Sequence, residues 1–139
     1  IPRKCKLTKK QERENLYLMF YGKCAYCGCD LPKNWHADHM EPIHRYRKFD
    51  TTKGKFIDTC DYPERDVFTN KLPACPSCNI NKHSMNIEQF RRFIGDFVKG
   101  LNERNVCYKI AKRYGLIIET GLKVEFYFEK VRKNLTISE

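Results

Sequence analysis

Apolar residues recur at helical spacing near the start of the chain. Thr8 and Gln11 stand at the separation of a capping box, and Leu16, Met19 and Phe20 share one side of the segment that ends before Gly22. The spacing predicts a first helix over about residues 8–21. Asn34-Trp35-His36-Ala37-Asp38-His39-Met40 reads as a short strand, and Val67 to Leu72 as a second that pairs back with it. Between them, Glu41 to Asp66 reads as a polar connection with a turn at Lys53-Gly54-Lys55. One helix is expected from about Asn79 and another from Asn86, where Ile87, Phe90, Phe93, Ile94 and Phe97 make an apolar stripe, read as core, that ends near Gly100. Asn102 is expected to cap a helix carrying Val106, Ile110 and Tyr114, with Gly115 as its stop. Leu116 to Glu119 and Lys123 to Glu129 read as a hairpin turning at Thr120-Gly121, with Val124, Phe126 and Phe128 on one face. This predicts a single α+β domain over residues 1–139: a core at about 21–85, a leading helix, and a C-terminal helix-plus-hairpin extension from 86, read as a brace with a nucleic-acid platform as the open alternative.

Composition narrows the class. A chain of 139 residues suits one domain, and a hydrophobic share of 41% with 13% aromatics is enough for a packed core. No apolar run approaches the ~20 residues that span a bilayer, and the basic start, without an apolar stretch behind it, does not read as a signal peptide, so no membrane partner is expected. Lys and Arg number 27 against 17 Asp and Glu, a net +10 that favours a polyanionic partner, nucleic acid foremost. The eight cysteines could form a secreted disulfide framework, but Cys24-Ala-Tyr-Cys27 and Cys75-Pro-Ser-Cys78 are paired C-x-x-C knuckles, which is zinc spacing. Four thiolates and one Zn²⁺ bring the charge to about +8. Cys5, Cys29, Cys60 and Cys107 lack such a pattern and read as free thiols of a reducing, intracellular compartment, with Cys29 close enough to compete as a ligand.

Between and beside the knuckles lie Asp38-His39, Asn70 and Asn79. Phosphodiester hydrolysis needs an activated water and neutralisation of charge on the phosphate and the leaving oxygen. An imidazole titrates near neutrality, so His39 can accept the water's proton. Asp38 and the Asn79 amide offer hard oxygens suited to Mg²⁺ or Mn²⁺. Asp38 and His39 alternate on a strand, so they can meet one phosphate only where the strand ends or bends. Four residues advance a helix by about 400°, which leaves His83 near the Asn79 side, read first as a solvent-facing histidine and otherwise as a further metal ligand or phosphate contact. Lys82 shares that side and reads as a phosphate contact. His36 would share the Asp38 face in a structural role. His44-Arg45-Tyr46-Arg47-Lys48-Phe49 interleaves bases with aromatics, so Arg45, Arg47 and Lys48 suit phosphates while the rings suit stacking on bases. They lie in the long connection between His39 and Asn70, which reads as an inserted loop that touches substrate.

Three stretches, Gly22-Lys23-Cys24-Ala25-Tyr26-Cys27-Gly28, Asp38-His39-Met40-Glu41-Pro42 and Asn70-Lys71-Leu72-Pro73-Ala74-Cys75-Pro76-Ser77-Cys78-Asn79, with Lys82 following, closely resemble the HNH endonucleases, also called ββα-metal or His-Me finger nucleases. The resemblance spans roughly Tyr21 to Lys82. It implies a ββα-metal core, His39 as general base, Asp38 and Asn79 on a catalytic Mg²⁺ or Mn²⁺, and Asn70 as the structural residue that holds the loop. It further implies cleavage of DNA, duplex in the first instance, leaving 5′-phosphate and 3′-hydroxyl ends, by a monomer or homodimer; structured RNA stays open as a substrate. The family often carries histidine where Asn79 stands, so the ligand count is open. Four cysteines would fill a tetrahedral zinc and leave no place for water, which makes that metal structural. The rival reading is a non-catalytic zinc-knuckle module that binds nucleic acid; the intact Asp38, His39 and Asn79 speak against it.

Overall fold

The computed structural model describes residues 6–137, so Cys5 and the other residues before Lys6 lie outside it. The described chain is a mixed α+β structure with six α-helices and two small two-stranded antiparallel sheets. Helix α1 (Lys9–Met19) starts on Thr8, whose hydroxyl accepts the Gln11 amide while the Gln11 side chain returns to the Thr8 amide. It buries Leu16, and Phe20 just beyond it is buried too, whereas Met19 is exposed. Strand β1 (His36–His39) pairs with β4 (Lys71–Ala74), placing Asp38 opposite Leu72 and His39 opposite Lys71. The segment expected to enter that second strand from Val67 begins instead with a 3₁₀ turn, Phe68–Asn70. Helix α2 (Pro76–Lys82) follows β4 at once; the Cys75 sulfur caps it by accepting the Cys78 amide, and proline takes its first turn, where an N–H has no helical partner.

The connection read as polar loop is a second sheet. Strands β2 (Arg45–Asp50) and β3 (Lys55–Cys60) form a hairpin whose turn falls at the expected place. Asp50 organises the turn by accepting the Thr52 and Lys53 amides and the Thr52 hydroxyl, and Gly54 takes φ +62°. No residue of either strand is buried, so no alternation of apolar and polar positions announces them.

The described residues up to Asn86, together with those from Phe126 onward, form one compact unit, and Ile87–Glu125 forms another. The second unit holds α3 (Ile87–Gly95), α4 (Phe97–Arg104) and α5 (Val106–Arg113). The apolar stripe is broken at Asp96, and although Phe90 is buried, Phe93 and Phe97 are exposed and meet edge to face at 4.9 Å. The cap of α5 is Asn105, which accepts the Tyr108 amide; Asn102 lies inside α4 and donates to the Val98 carbonyl, because a cap must sit where the helical hydrogen bonds have yet to begin.

The expected C-terminal hairpin does not form. Residues 117–126 carry no regular structure, with Glu119 gripped by Asn102, Tyr108 and Lys112, and the chain then enters α6 (Tyr127–Ile137) in the first unit. Phe126 and Phe128 are buried as a stacked pair against the Tyr26 ring. The Tyr127 and Phe128 amides donate to the Tyr26 and Ala25 carbonyls, so the first N–H groups of α6, which have no partner within a helix, are satisfied by the first knuckle. The every-second-residue aromatic pattern therefore belongs to a chain crossing the knuckle into a helix, and no strand partner is needed. No helix among the described residues is long and apolar enough to cross a membrane.

Candidate functional site

Four sulfurs converge. Those of Cys24, Cys27, Cys75 and Cys78 all lie within 4.8 Å of one another, and Cys27 Sγ is 3.9 Å from Cys75 Sγ. Tetrahedral Zn–S bonds of ~2.3 Å require sulfurs about 3.8 Å apart, so the four cysteines are positioned to bind a metal ion such as zinc. The Cys75 amide points at Cys24 Sγ and the Cys78 amide at Cys75 Sγ, both at 3.4 Å. The Cys78 thiol hydrogen bond, with backbone amides behind it, draws the Cys24 thiol well below its ordinary range and favours the thiolate that a metal requires. Cys29 sits against Cys27 and Cys75 but is not one of the four. Cys60 and Cys107 are free thiols. The Ala25 amide donates to the Pro73 carbonyl at 2.8 Å, so the first knuckle is laced to β4 as well as to α6.

Strand β1 ends at His39, and the Met40 amide turns to the Asn70 carbonyl. Asn70 then locks the segment after β1: its side chain accepts the Glu41 amide and donates to the Glu41 and Arg65 carbonyls, each at 2.9 Å. Asp38 is 9% exposed, and its Oδ2 accepts from the Tyr26 hydroxyl at 2.5 Å and pairs with Lys82 Nζ at 3.1 Å. Burial, then the Asp38 charge, pushes the Tyr26 phenol well above its usual range, so it stays a donor.

Lys82 is not a phosphate contact. It is fully buried, and its ammonium donates to the His39 carbonyl at 2.8 Å besides pairing with Asp38. The reason is its place on α2: Lys82 follows the metal-facing Cys78 by four residues and so shares the inward side, a signal the sequence carries. Replacing Lys82 with methionine strands the Asp38 carboxylate without its cation and is expected to cost about 3 kcal/mol of stability. A thermal melt reads this directly, and a melting temperature equal to that of the natural chain contradicts it.

Asp38 and His39 both line a cleft of about 240 Å³ at the end of β1, together with His44, Arg45, His83 and Ser84. His44 and His83 hold φ of 45° and 50°, a region that side chains other than glycine seldom adopt. Such strain concentrates at functional sites. The Arg45 guanidinium makes no hydrogen bond or ion pair with the described residues, whereas its backbone is paired with Cys60 in the β2–β3 ladder. Asn79 lies one turn before His83, whose amide its carbonyl accepts at 3.2 Å; it is His83 that reaches the cleft. His36 is exposed at the start of β1.

Sequence reading missed Asp66. Its Oδ1 lies 2.9 Å from His39 Nε2 and 3.3 Å from Lys71 Nζ, which in turn pairs with Glu12 of α1 at 3.3 Å. No spacing rule reaches from Asp66 to His39; only the fold joins them. Tyr26 is a second residue to which the sequence reading assigns no role, although its place between Cys24 and Cys27 puts it beside the metal site.

Beyond the cleft, the β2–β3 hairpin presents Phe49 and Phe56 edge to face at 5.3 Å, 48% and 60% exposed. Arg47 leans over Phe56 and pairs loosely with Asp58 at 3.5 Å, and Lys48 is exposed on the opposite face of the same strand. Comparisons of the chain with models of protein families, with curated proteins and with solved structures returned no match.

Proposed function

We propose that this chain is a metal-dependent endonuclease of the HNH, or ββα-metal, type, which hydrolyses phosphodiester bonds of DNA. The observation that carries the reading is the cleft at the end of β1, where an imidazole, a buried carboxylate and an unpaired guanidinium meet beside a β–β–α segment stapled by four cysteines. His39 takes a proton from water. The water oxygen bonds to phosphorus, the bond to the 3′ oxygen breaks, and that oxygen leaves as a hydroxyl once it gains a proton from solvent, with the phosphate staying on the 5′ side. Arg45 lies where it can meet the negative charge of the phosphate.

The residues present fit a divalent cation. Both side-chain contacts of Asp38 fall on Oδ2, which leaves Oδ1 for a ligand, and Mg²⁺ is commonly held by one or two carboxylates plus substrate phosphate instead of a protein cage. Asp38 and His83, which line the cleft, would hold it, with Asn79 one turn earlier on α2 as a further candidate, and it would neutralise charge on the phosphate and on the departing oxygen. Lys82 and Tyr26 hold the Asp38 carboxylate in place. Arg45, Arg47 and Lys48 of the hairpin would track phosphates, and Phe49 and Phe56 would stack on bases.

The test is nicking of supercoiled plasmid by the zinc-loaded chain with Mg²⁺ or Mn²⁺ added or omitted. Omission is preferable to chelation, which would also attack the cysteine site. Relaxed circles that form only with added cation support the reading. Intact plasmid, single strands and RNA under all conditions, with salt-sensitive DNA binding retained, would instead favour the non-catalytic binding module.

A further inference from the structure

We infer that Asp66 is the positioning carboxylate of this site: it holds the His39 ring with the proton on Nε2 and leaves the Nδ1 lone pair for the cleft. This rests on the reading of His39 as the base. Asp66 Oδ1 is 2.9 Å from His39 Nε2. An ionised carboxylate can only accept, so Nε2 must donate, and a neutral imidazole then has its acceptor at Nδ1. The hydrogen bond from His39, followed by Lys71, holds the Asp66 carboxyl below its usual range and keeps it ionised.

The setting is built around that pair. His39 and Lys71 are direct cross-strand neighbours, and Asp66 bridges the two at the open end of the β1–β4 ladder. The segment that delivers Asp66 is tied down at three points: the Asp66 amide donates to the Pro63 carbonyl at 3.1 Å, Arg65 to the Pro42 carbonyl at 2.9 Å, and Asn70 to the Arg65 carbonyl at 2.9 Å. His39 borders two clefts. One contains Asp66, Lys71 and Glu12; the other contains Asp38, His83 and Ser84 and lacks Asp66. His39 thus borders both the cleft that holds its Asp66 partner and the reaction cleft, as Arg45 does. An exposed ion pair is ordinarily worth little, but a hydrogen bond that selects the orientation and tautomer of a base acts on rate rather than on stability.

The experiment reads the ring and the rate separately. In the zinc-loaded natural chain, above neutral pH, ¹H–¹⁵N spectra of the four histidines, with His39 assigned from His39→Gln, are expected to show a retained N–H proton on Nε2 of His39. Asp66→Ala is expected to lose that proton signal to solvent exchange and to lower single-turnover nicking by roughly 10–100-fold, with DNA affinity and Trp35 fluorescence unchanged. Asp66→Glu should regain part of both. A His39 proton on Nδ1, or an Nε2 proton unaffected by Asp66→Ala, overturns the proposal whatever the nicking rate. A natural chain that cuts nothing, yet shows the Asp66-dependent proton, sinks the nuclease reading and leaves the pairing in place.

Discussion

Stripping the metal from Cys24, Cys27, Cys75 and Cys78 is expected to unfold the unit that carries the cleft. Binding to a four-cysteine zinc site supplies on the order of 10 kcal/mol of folding free energy, and a domain's whole stability is about 5–15 kcal/mol. The site joins two segments far apart in the chain, which are otherwise tied by hydrogen bonds such as that from Ala25 to Pro73. One bears Tyr26, which holds Asp38 and carries the aromatic stack of Phe126 and Phe128; the other leads from β4 into α2 and Lys82. Trp35, the one tryptophan of the chain, is buried at the entrance to β1 under the Arg13 guanidinium, 3.7 Å from its ring centre, and therefore reports on this unit. The purified chain should contain one zinc, and removing it with a strong chelator, or introducing Cys75→Ser, should red-shift Trp35 emission and abolish its cooperative melt. Cys60→Ser and Cys107→Ser should change neither. Thiolates bind zinc and thiols do not, so acid should release the metal and unfold the same unit, and returning to neutral pH with zinc should restore it. A sharp Trp35 melt that survives complete metal removal would remove the staple from the account.

How much of this was legible beforehand follows the physics of each signal. The capping box at Thr8, the turn at Gly54 and the two knuckles are legible because each is set by residues within a few positions of one another, whereas the cap of α5 falls at Asn105 and not at Asn102. The β2–β3 strands were invisible because a strand announces itself through one buried face, and this hairpin has hardly any. The period-two aromatics before α6 misled for the opposite reason. Phe126 and Phe128 do face a common partner, but the partner is the Tyr26 ring and not a strand. At the cleft, Asp38 and His39 share one cavity with His83, which the spacing left first as a solvent-facing histidine, whereas Asn79 is not among the residues that line it. Lys82 follows Asn79 by three residues and Cys78 by four, and the second relation is the one that fixes its side of α2. Asp66 could not be found from spacing, because its tie to His39 depends on the register of β1 with β4 and on the turn that brings residue 66 back.

His39→Ala should separate binding from chemistry more cleanly than any other single change. A positioned general base typically contributes 10²–10⁴-fold, and nicking under single-turnover conditions should fall by roughly that factor. The fold should tolerate the change, because the contact that His39 makes with buried Lys82 uses its backbone carbonyl, and the ladder to Lys71 is backbone as well. The lost side-chain contact is the one to Asp66, which is half exposed and keeps Lys71 as its partner. DNA affinity should hold too, since Arg45, Arg47 and Lys48 are untouched and the imidazole itself is only 13% exposed. Melting temperature, gel-shift affinity and nicking rate measured on one preparation therefore form a joint prediction: the first two unchanged, the third reduced at least a hundredfold. Comparable loss of all three would mean that His39 serves the fold. A rate within a few-fold of the natural chain's would mean that the proton leaves the water by another route, and His44 and His83, the other two imidazoles bordering the cleft, would be the next side chains to remove.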